Sequence, residues 1–159
     1  MHLGSNIGDR KVHIARAIQM IEESIGPIWA SSAYYETEAW GKGDQDDFIN
    51  IALEVEHYMT PNQILKTVNR IEDDLGRERK EKWGARTIDI DIIFVEDIVV
   101  DTDKLTLPHK WMEKRNFVLY PMVEIAESFI HPVLNKTLAE LLEECEDTTK
   151  ITRLKSEFE

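Results

Sequence analysis

The apolar positions of the chain alternate between helical and strand periods. Behind Asp9, a good helix N-cap, Ile14, Ala17, Ile18, Ile21 and Ile25 recur at helical spacing, and Gly26-Pro27 stops the run. Residues 28–37 (IWASSAYYET) are rich in β-branched and aromatic side chains and predict a strand. A polar loop over 38–47 leads to the clearest strand, 49–55. There Ile49, Ile51, Leu53 and Val55 share one face, and Asn50, Ala52 and Glu54 share the other. Thr60 and Gln63 form a capping box with Pro61 at the first helical position, and Ile64, Leu65, Val68, Ile71 and Leu75 give that helix its buried stripe up to Gly76. A basic loop, 77–86, precedes a last strand predicted over Thr87–Val95. Further on, the pattern predicts a helix over 117–126 and another from Thr137, capped with Glu140. The final, charged residues are expected to fray.

With a short stub of a first strand before Gly4-Ser5-Asn6, the order is β-α-β-β-α-β. That order predicts an α+β class chain: a ferredoxin-like βαββαβ antiparallel sheet with helices packed on it, plus C-terminal helices. No repeat or linker divides the sequence, so residues 1–159 are expected to form a single domain. The fold by itself says little about function.

Composition narrows the classes. The net charge of −12 disfavours nucleic acid or an anionic membrane as partner, and no apolar run approaches the length of a membrane span. The one cysteine, Cys145, excludes an internal disulfide and a cysteine-based zinc site, and fits a reducing, cytoplasmic setting. The acidity is uneven. Between Gly76 and Phe117 nine Lys/Arg balance nine Asp/Glu, so the whole excess lies outside those 42 residues.

Inside this compensated island Asp89-Ile90-Asp91 is the sharpest feature. In a strand the two carboxylates point the same way, roughly 6.5–7 Å apart, while Ile88, Ile90 and Ile92 face the core. Like charges side by side repel, and strands disfavour Asp, so something must offset the cost. Mg²⁺, which prefers carboxylate and phosphate oxygens, does so; a solvated strand face neutralised by nearby arginines is an equal alternative on these residues alone. Arg77, Arg79, Lys80, Lys82 and Arg86 precede the pair, and Lys104, His109, Lys110, Lys114 and Arg115 follow it. Cations beside metal-binding carboxylates are what phosphoryl transfer requires. Trp83, in a glycine-bounded loop, is suited to stacking on a purine base, or equally to filling core. No Walker-type GxxxxGK[ST] is present, which opposes a P-loop kinase. The histidines lack metal-ligand spacing, and His2, His13, His57 and His131 are expected to be surface or structural. His109 differs, because Pro108 fixes its approach beside the cationic set.

The stretch Lys82-Trp83-Gly84-Ala85-Arg86-Thr87-Ile88-Asp89-Ile90-Asp91-Ile92-Ile93 resembles the signature of the 6-hydroxymethyl-7,8-dihydropterin pyrophosphokinase family of folate biosynthesis. Gly4-Ser5-Asn6, Phe48-Ile49-Asn50, Gly76-Arg77-x-Arg79, Leu107-Pro108-His109 and Arg115-x-Phe117 extend the resemblance over nearly the whole chain. It implies transfer of a pyrophosphoryl group from ATP, the co-substrate, to the pterin hydroxymethyl oxygen, with release of AMP. It further implies that Asp89 and Asp91 hold two Mg²⁺ ions, and that Phe48, Asn50 and Phe117 form a pterin slot with contacts from Thr37 to Trp40. Arg79, Trp83, Arg86, Ile92, Lys104, Thr106, His109, Lys110 and Arg115 would handle ATP. Arg79, Arg86 and His109 would join the carboxylates in catalysis, and Glu72 and Arg77 would support the site.

Four positions depart from the commonest family pattern: Glu38 and Ala85 replace prolines, Lys104 an arginine, and Lys110 an aromatic or arginine. They bear on affinity more than on the reaction. The competing reading is a non-catalytic ferredoxin-like ligand-binding module, which has no need of both carboxylates. A two-metal nuclease is opposed by the charge. The expected partners are the two small-molecule substrates, with the chain acting as a monomer.

Overall fold

A computed structural model describes residues 1–38, 46–76 and 87–156. The strands are β1 (His2–Ser5), β2 (Ile28–Ser31), β3 (Tyr35–Thr37), β4 (Phe48–Val55), β5 (Asp89–Asp91), β6 (Val100–Asp101), β7 (Thr106–Leu107) and β8 (Ile151–Arg153). The α-helices are α1 (Arg10–Ser24), α2 (Pro61–Asp74), α3 (Asn116–Ala126) and α4 (Leu138–Glu144). All pairings in the main sheet are antiparallel, in the order β5-β1-β4-β3-β8, with β2 also on β4. This is the anticipated split βαβ arrangement, each crossover helix returning its strand beyond a neighbour already in place.

Both faces of the sheet are covered. Leu3, Ile49, Ile51, Leu53, Ile88, Ile90 and Ile92 pack against α1 and α2 through Ile14, Ile21, Ile64 and Ile71. The other face carries Ala52, whose small side chain lets Val118, Leu119 and Met122 of α3 approach, with Leu138 and Leu141 of α4 behind them. Asp9 accepts the Val12 N–H, and Thr60 and Thr137 each complete the expected capping box. Among the described residues no helix is long and apolar enough to cross a membrane.

Three elements differ from the sequence-based expectation. The strand predicted over Thr87–Val95 is hydrogen-bonded as sheet only over Asp89–Asp91, where Gly4 faces Asp89 and His2 faces Asp91. Beyond it Ile93 O accepts from His109 N–H instead, at 2.9 Å. The strand predicted over 28–37 is interrupted at Ser32, whose Oγ accepts from the Ala52 N–H in place of a main-chain carbonyl. The C-terminal charged residues do not simply fray. Ile151–Arg153 add an edge strand to β3.

Gly26 marks the tightest main-chain approach, where a Cβ would lie 2.1 Å from the Glu56 carbonyl oxygen. Gly26→Ala is expected to cost about 3 kcal/mol by forcing β2 away from β4, measurable as a lower midpoint in urea unfolding; an unchanged midpoint would mean that the crossing relaxes freely.

Candidate active site

Period two along each strand and antiparallel register between strands place side chains in rows across the sheet. One row runs Asp89 (β5), Gly4 (β1), Asn50 (β4), Tyr35 (β3), Arg153 (β8). The next runs Asp91, His2, Ala52. Above these rows a cavity of about 560 Å³ opens between the sheet, α2, the β6–β7 hairpin and the start of α3. Phe48, Asn50, Asp89, Asp91, Ile92, Lys104, Thr106, His109, Lys110, Arg115 and Phe117, all singled out from sequence, line it. Trp40, Arg77, Arg79, Trp83 and Arg86 lie outside the described residues. Thr37 is buried beneath Asn50 rather than on the cavity wall.

Asn50 is 2% exposed, and its orientation is fixed. Its Nδ2 donates to the Tyr35 carbonyl at 3.2 Å and to Thr37 Oγ1 at 2.9 Å. A carbonyl only accepts, so the amide nitrogen must face Tyr35 and the amide oxygen turns toward Gly4. A Cβ on Gly4 would meet Asn50 Oδ1 at 3.2 Å and Phe48 Cδ1 at 3.4 Å. The missing side chain therefore keeps Asn50 and Asp89 in one continuous cavity, about two strand spacings apart, roughly 10 Å.

Asp89 and Asp91 share the cavity side of β5, both half-buried. The strand is held from its other edge by Glu72 of α2, a carboxylate 4% exposed, whose Oε2 accepts the Ile90 N–H at 3.0 Å. Asp91 Oδ1 lies 3.8 Å from His109 Nε2. His109 Nδ1 contacts the Lys110 carbonyl at 3.1 Å, so that nitrogen carries the proton and Nε2 faces the carboxylate. Among the described residues no three acidic, His or Cys side chains group to form a complete metal cage. Asp89 and Asp91 side by side are a donor set that fits Mg²⁺, which is bound by one or two carboxylates with water and substrate phosphate completing its shell. Glu38, Glu72, Asp89, Asp91 and Asp103 share the described lining with Lys104, Lys110 and Arg115, and a cation on the paired Asp89 and Asp91 carboxylates would favour an anionic ligand.

His2, expected to be surface or structural, is a structural part of the cavity wall. It is 3% exposed, and its Nε2 contacts the Phe117 carbonyl at 3.1 Å while the two rings meet edge to face at 5.8 Å. Pro121 explains the contact. It lies inside α3 and has no N–H to give the carbonyl four residues back, which is Phe117 O. His2 supplies the missing donor and so ties β1 to the Phe117 turn. The signal was present in sequence as Phe117-x-x-x-Pro121, but the donor could be found only from the fold. Glu38, within the stretch from Thr37 to Trp40 expected to give contacts, lines the cavity, and Asn69, Leu65 and Asp103 also line it without having been assigned a place there.

The family model for 7,8-dihydro-6-hydroxymethylpterin-pyrophosphokinase (HPPK) matches residues 1–127. The chain belongs to the HPPK family. It is 41% identical over 138 residues to the 2-amino-4-hydroxy-6-hydroxymethyldihydropteridine pyrophosphokinase of Aquifex aeolicus, covering 87% of this chain and 86% of that one. The protein of the same name from Bacillus subtilis is 37% identical over 126 residues, 79% of this chain and 75% of the other. Among solved structures, a triple mutant of the Plasmodium falciparum HPPK-DHPS superposes with a TM-score of 0.72 at 17% identity, a likeness of fold. It covers 90% of this chain and 42% of that longer one.

Burial pushes the His2 imidazole pKa down to about 4, against partial support from the Asp91 charge and the Phe117 carbonyl. The folded chain therefore resists the proton that the unfolded chain accepts near pH 6.5. Stability is full above pH 6.5 and falls as pH drops toward 4, by on the order of 3 kcal/mol from this group. Urea titrations of metal-free protein, compared with His2→Gln, which keeps a donor without the titration, are expected to diverge across that window. Parallel curves would show that His2 is protonated in the fold.

Proposed function

We infer that this chain transfers the pyrophosphoryl group of ATP to the hydroxymethyl group of 6-hydroxymethyl-7,8-dihydropterin, releasing AMP, in folate biosynthesis. Family membership carries the reaction. The observation that supports the residue roles is the row Asp89–Gly4–Asn50, with a carboxylate suited to a cation and a fixed amide on one cavity floor and open space between them.

The pterin lies between the Phe48 and Phe117 rings, with the fixed Asn50 Oδ1 accepting from an N–H on its edge. Thr37 acts from beneath, through the Asn50 amide, and Trp40 adds a contact from the neighbouring loop. ATP spans the opposite end. Thr106, Ile92 and Trp83 serve the nucleoside, and Lys104, Lys110, Arg115, Arg79 and Arg86 serve the phosphates. Asp89 and Asp91 would hold the Mg²⁺, two ions, which would offset phosphate charge and lower the pKa of the hydroxyl, with Glu72 fixing their strand and Arg77 supporting the site. The loose transfer state asks the protein mainly for alignment and charge balance. Gly4 and Asn50 aim the hydroxymethyl group toward the carboxylates, His109 presents Nε2 beside Asp91 at the phosphates, and Arg79 and Arg86 balance charge on the transferred group. The chain acts as a monomer on small molecules, in the cytoplasm.

Incubation with Mg-ATP and the hydroxymethyl dihydropterin is expected to yield AMP; ADP or no nucleotide product overturns the reading. Asp91→Ala should lower turnover by about 10³-fold with an unchanged circular dichroism spectrum, and retention of activity would remove the metal assignment. Gly4→Ala should weaken pterin binding about tenfold, because the added methyl would crowd Asn50 Oδ1 at 3.2 Å and two hydrogen bonds hold that amide in place. Isothermal titration with pterin then ATP checks this; equal weakening of both ligands would contradict the division of the cavity.

A further inference from the structure

We propose that the C-terminal segment from Asp147 to Arg153 is a positioning strap for the pterin end of the site, fixing Phe117 and Asn50 from outside the cavity. The inference rests on the pterin slot assigned above.

The first grip is on α3. A helix start leaves main-chain N–H groups without partners, and Arg115, at the N-cap, provides no side-chain acceptor. Asp147 supplies one from 31 residues away: its Oδ2 accepts the Asn116 N–H at 3.1 Å. Its Oδ1 is held by the Thr149 N–H at 3.0 Å and the Thr149 hydroxyl at 2.7 Å. Asn116, buried, returns two bonds, from Nδ2 to the carbonyls of Asp147 at 3.0 Å and Thr149 at 2.9 Å. The next residue is Phe117. Burial would raise the Asp147 carboxyl pKa, but the Thr149 and Asn116 donors outweigh it and hold the group below its ordinary value, ionised against the positive helix end.

The second grip is on β3. Arg153 lies opposite Tyr35 and Ile151 opposite Thr37, and Leu154 N–H donates to the Tyr34 carbonyl at 2.8 Å. Arg153 Nη2 donates to Glu124 Oε1 at 3.2 Å, and Glu124 Oε2 accepts from the Tyr35 hydroxyl at 2.7 Å and the Ala33 N–H at 3.1 Å. Tyr35 and Thr37 are the residues that receive the Asn50 amide. One short segment thus braces the helix that bears the upper ring and the strand that orients the reading amide. None of its residues lines the cavity, so its action is indirect, and it lies beyond the 127 residues matched by the family model.

Steady-state AMP release in the full chain, varying each substrate in turn, tests the strap. Asp147→Ala is expected to raise the KM for pterin about tenfold, leaving the KM for ATP within about twofold, with a matching loss in pterin affinity by titration. Asp147→Asn, which keeps one acceptor for the Asn116 N–H, should recover most of it. Equal changes in both KM values, or a lower Tm with both KM values unchanged, would make the strap merely structural and overturn the proposal. Should Asp147→Ala fail to fold, Arg153→Ala decides by the same comparison, since it takes a half-exposed cation away from Glu124 and Tyr35 without touching the grip on α3. Absence of AMP from the unaltered protein would sink the pyrophosphokinase reading itself. An active protein whose variants keep the pterin KM sinks the strap alone.

Discussion

The structure depends on the pairing of β1 with a strand on each side. It is four residues long, yet it joins β5 to β4 and so places the Asp89–Asp91 pair in register with Asn50. Its side chains divide the labour by parity. Leu3 points into the apolar core against α1 and α2, whereas His2 and Gly4 face the cavity. A one-residue slip would exchange those sets, bury a histidine among isoleucines and put a leucine on the cavity floor. The apolar packing of one face is therefore what fixes the chemistry of the other.

Much of the fold was legible because local signals agreed with it. The Thr60 and Thr137 capping boxes, the stripe on α2 and the alternation in β4 each specify an element without help from elsewhere. Where the expectation failed, the deciding partner was distant in sequence. Nothing between Thr87 and Val95 tells that β1 pairs only with Asp89–Asp91. Ile151 and Thr152 are β-branched, but three residues between charged neighbours suit an exposed edge as well as a frayed end, and only β3 decides between them. The same rule holds at the site. Residues whose type already implies chemistry were legible: two aspartates, cations, rings, an asparagine. Those that act by filling or by vacancy were not. Gly4 matters for the side chain it lacks, and His2 for a carbonyl 115 residues away.

Charge shows how local composition must be read. A chain of net −12 has little use for a polyanion in general, and the described cavity lining is itself more acidic than basic. Under the proposed reading a triphosphate enters there with cations on the Asp89 and Asp91 carboxylates, which would otherwise repel it.

Pro121 carries a consequence for sequence variation. Because it cannot donate to Phe117 O, the helix leaves a debt that a residue at the opposite end of the chain settles. Positions 2 and 121 are therefore one unit. A chain with an ordinary residue at 121 satisfies that carbonyl within the helix and leaves position 2 free to be small or apolar. One with proline there needs a donor at 2, a water, or another neighbour. Two sites that look independent along the sequence are thus linked through a single main-chain oxygen.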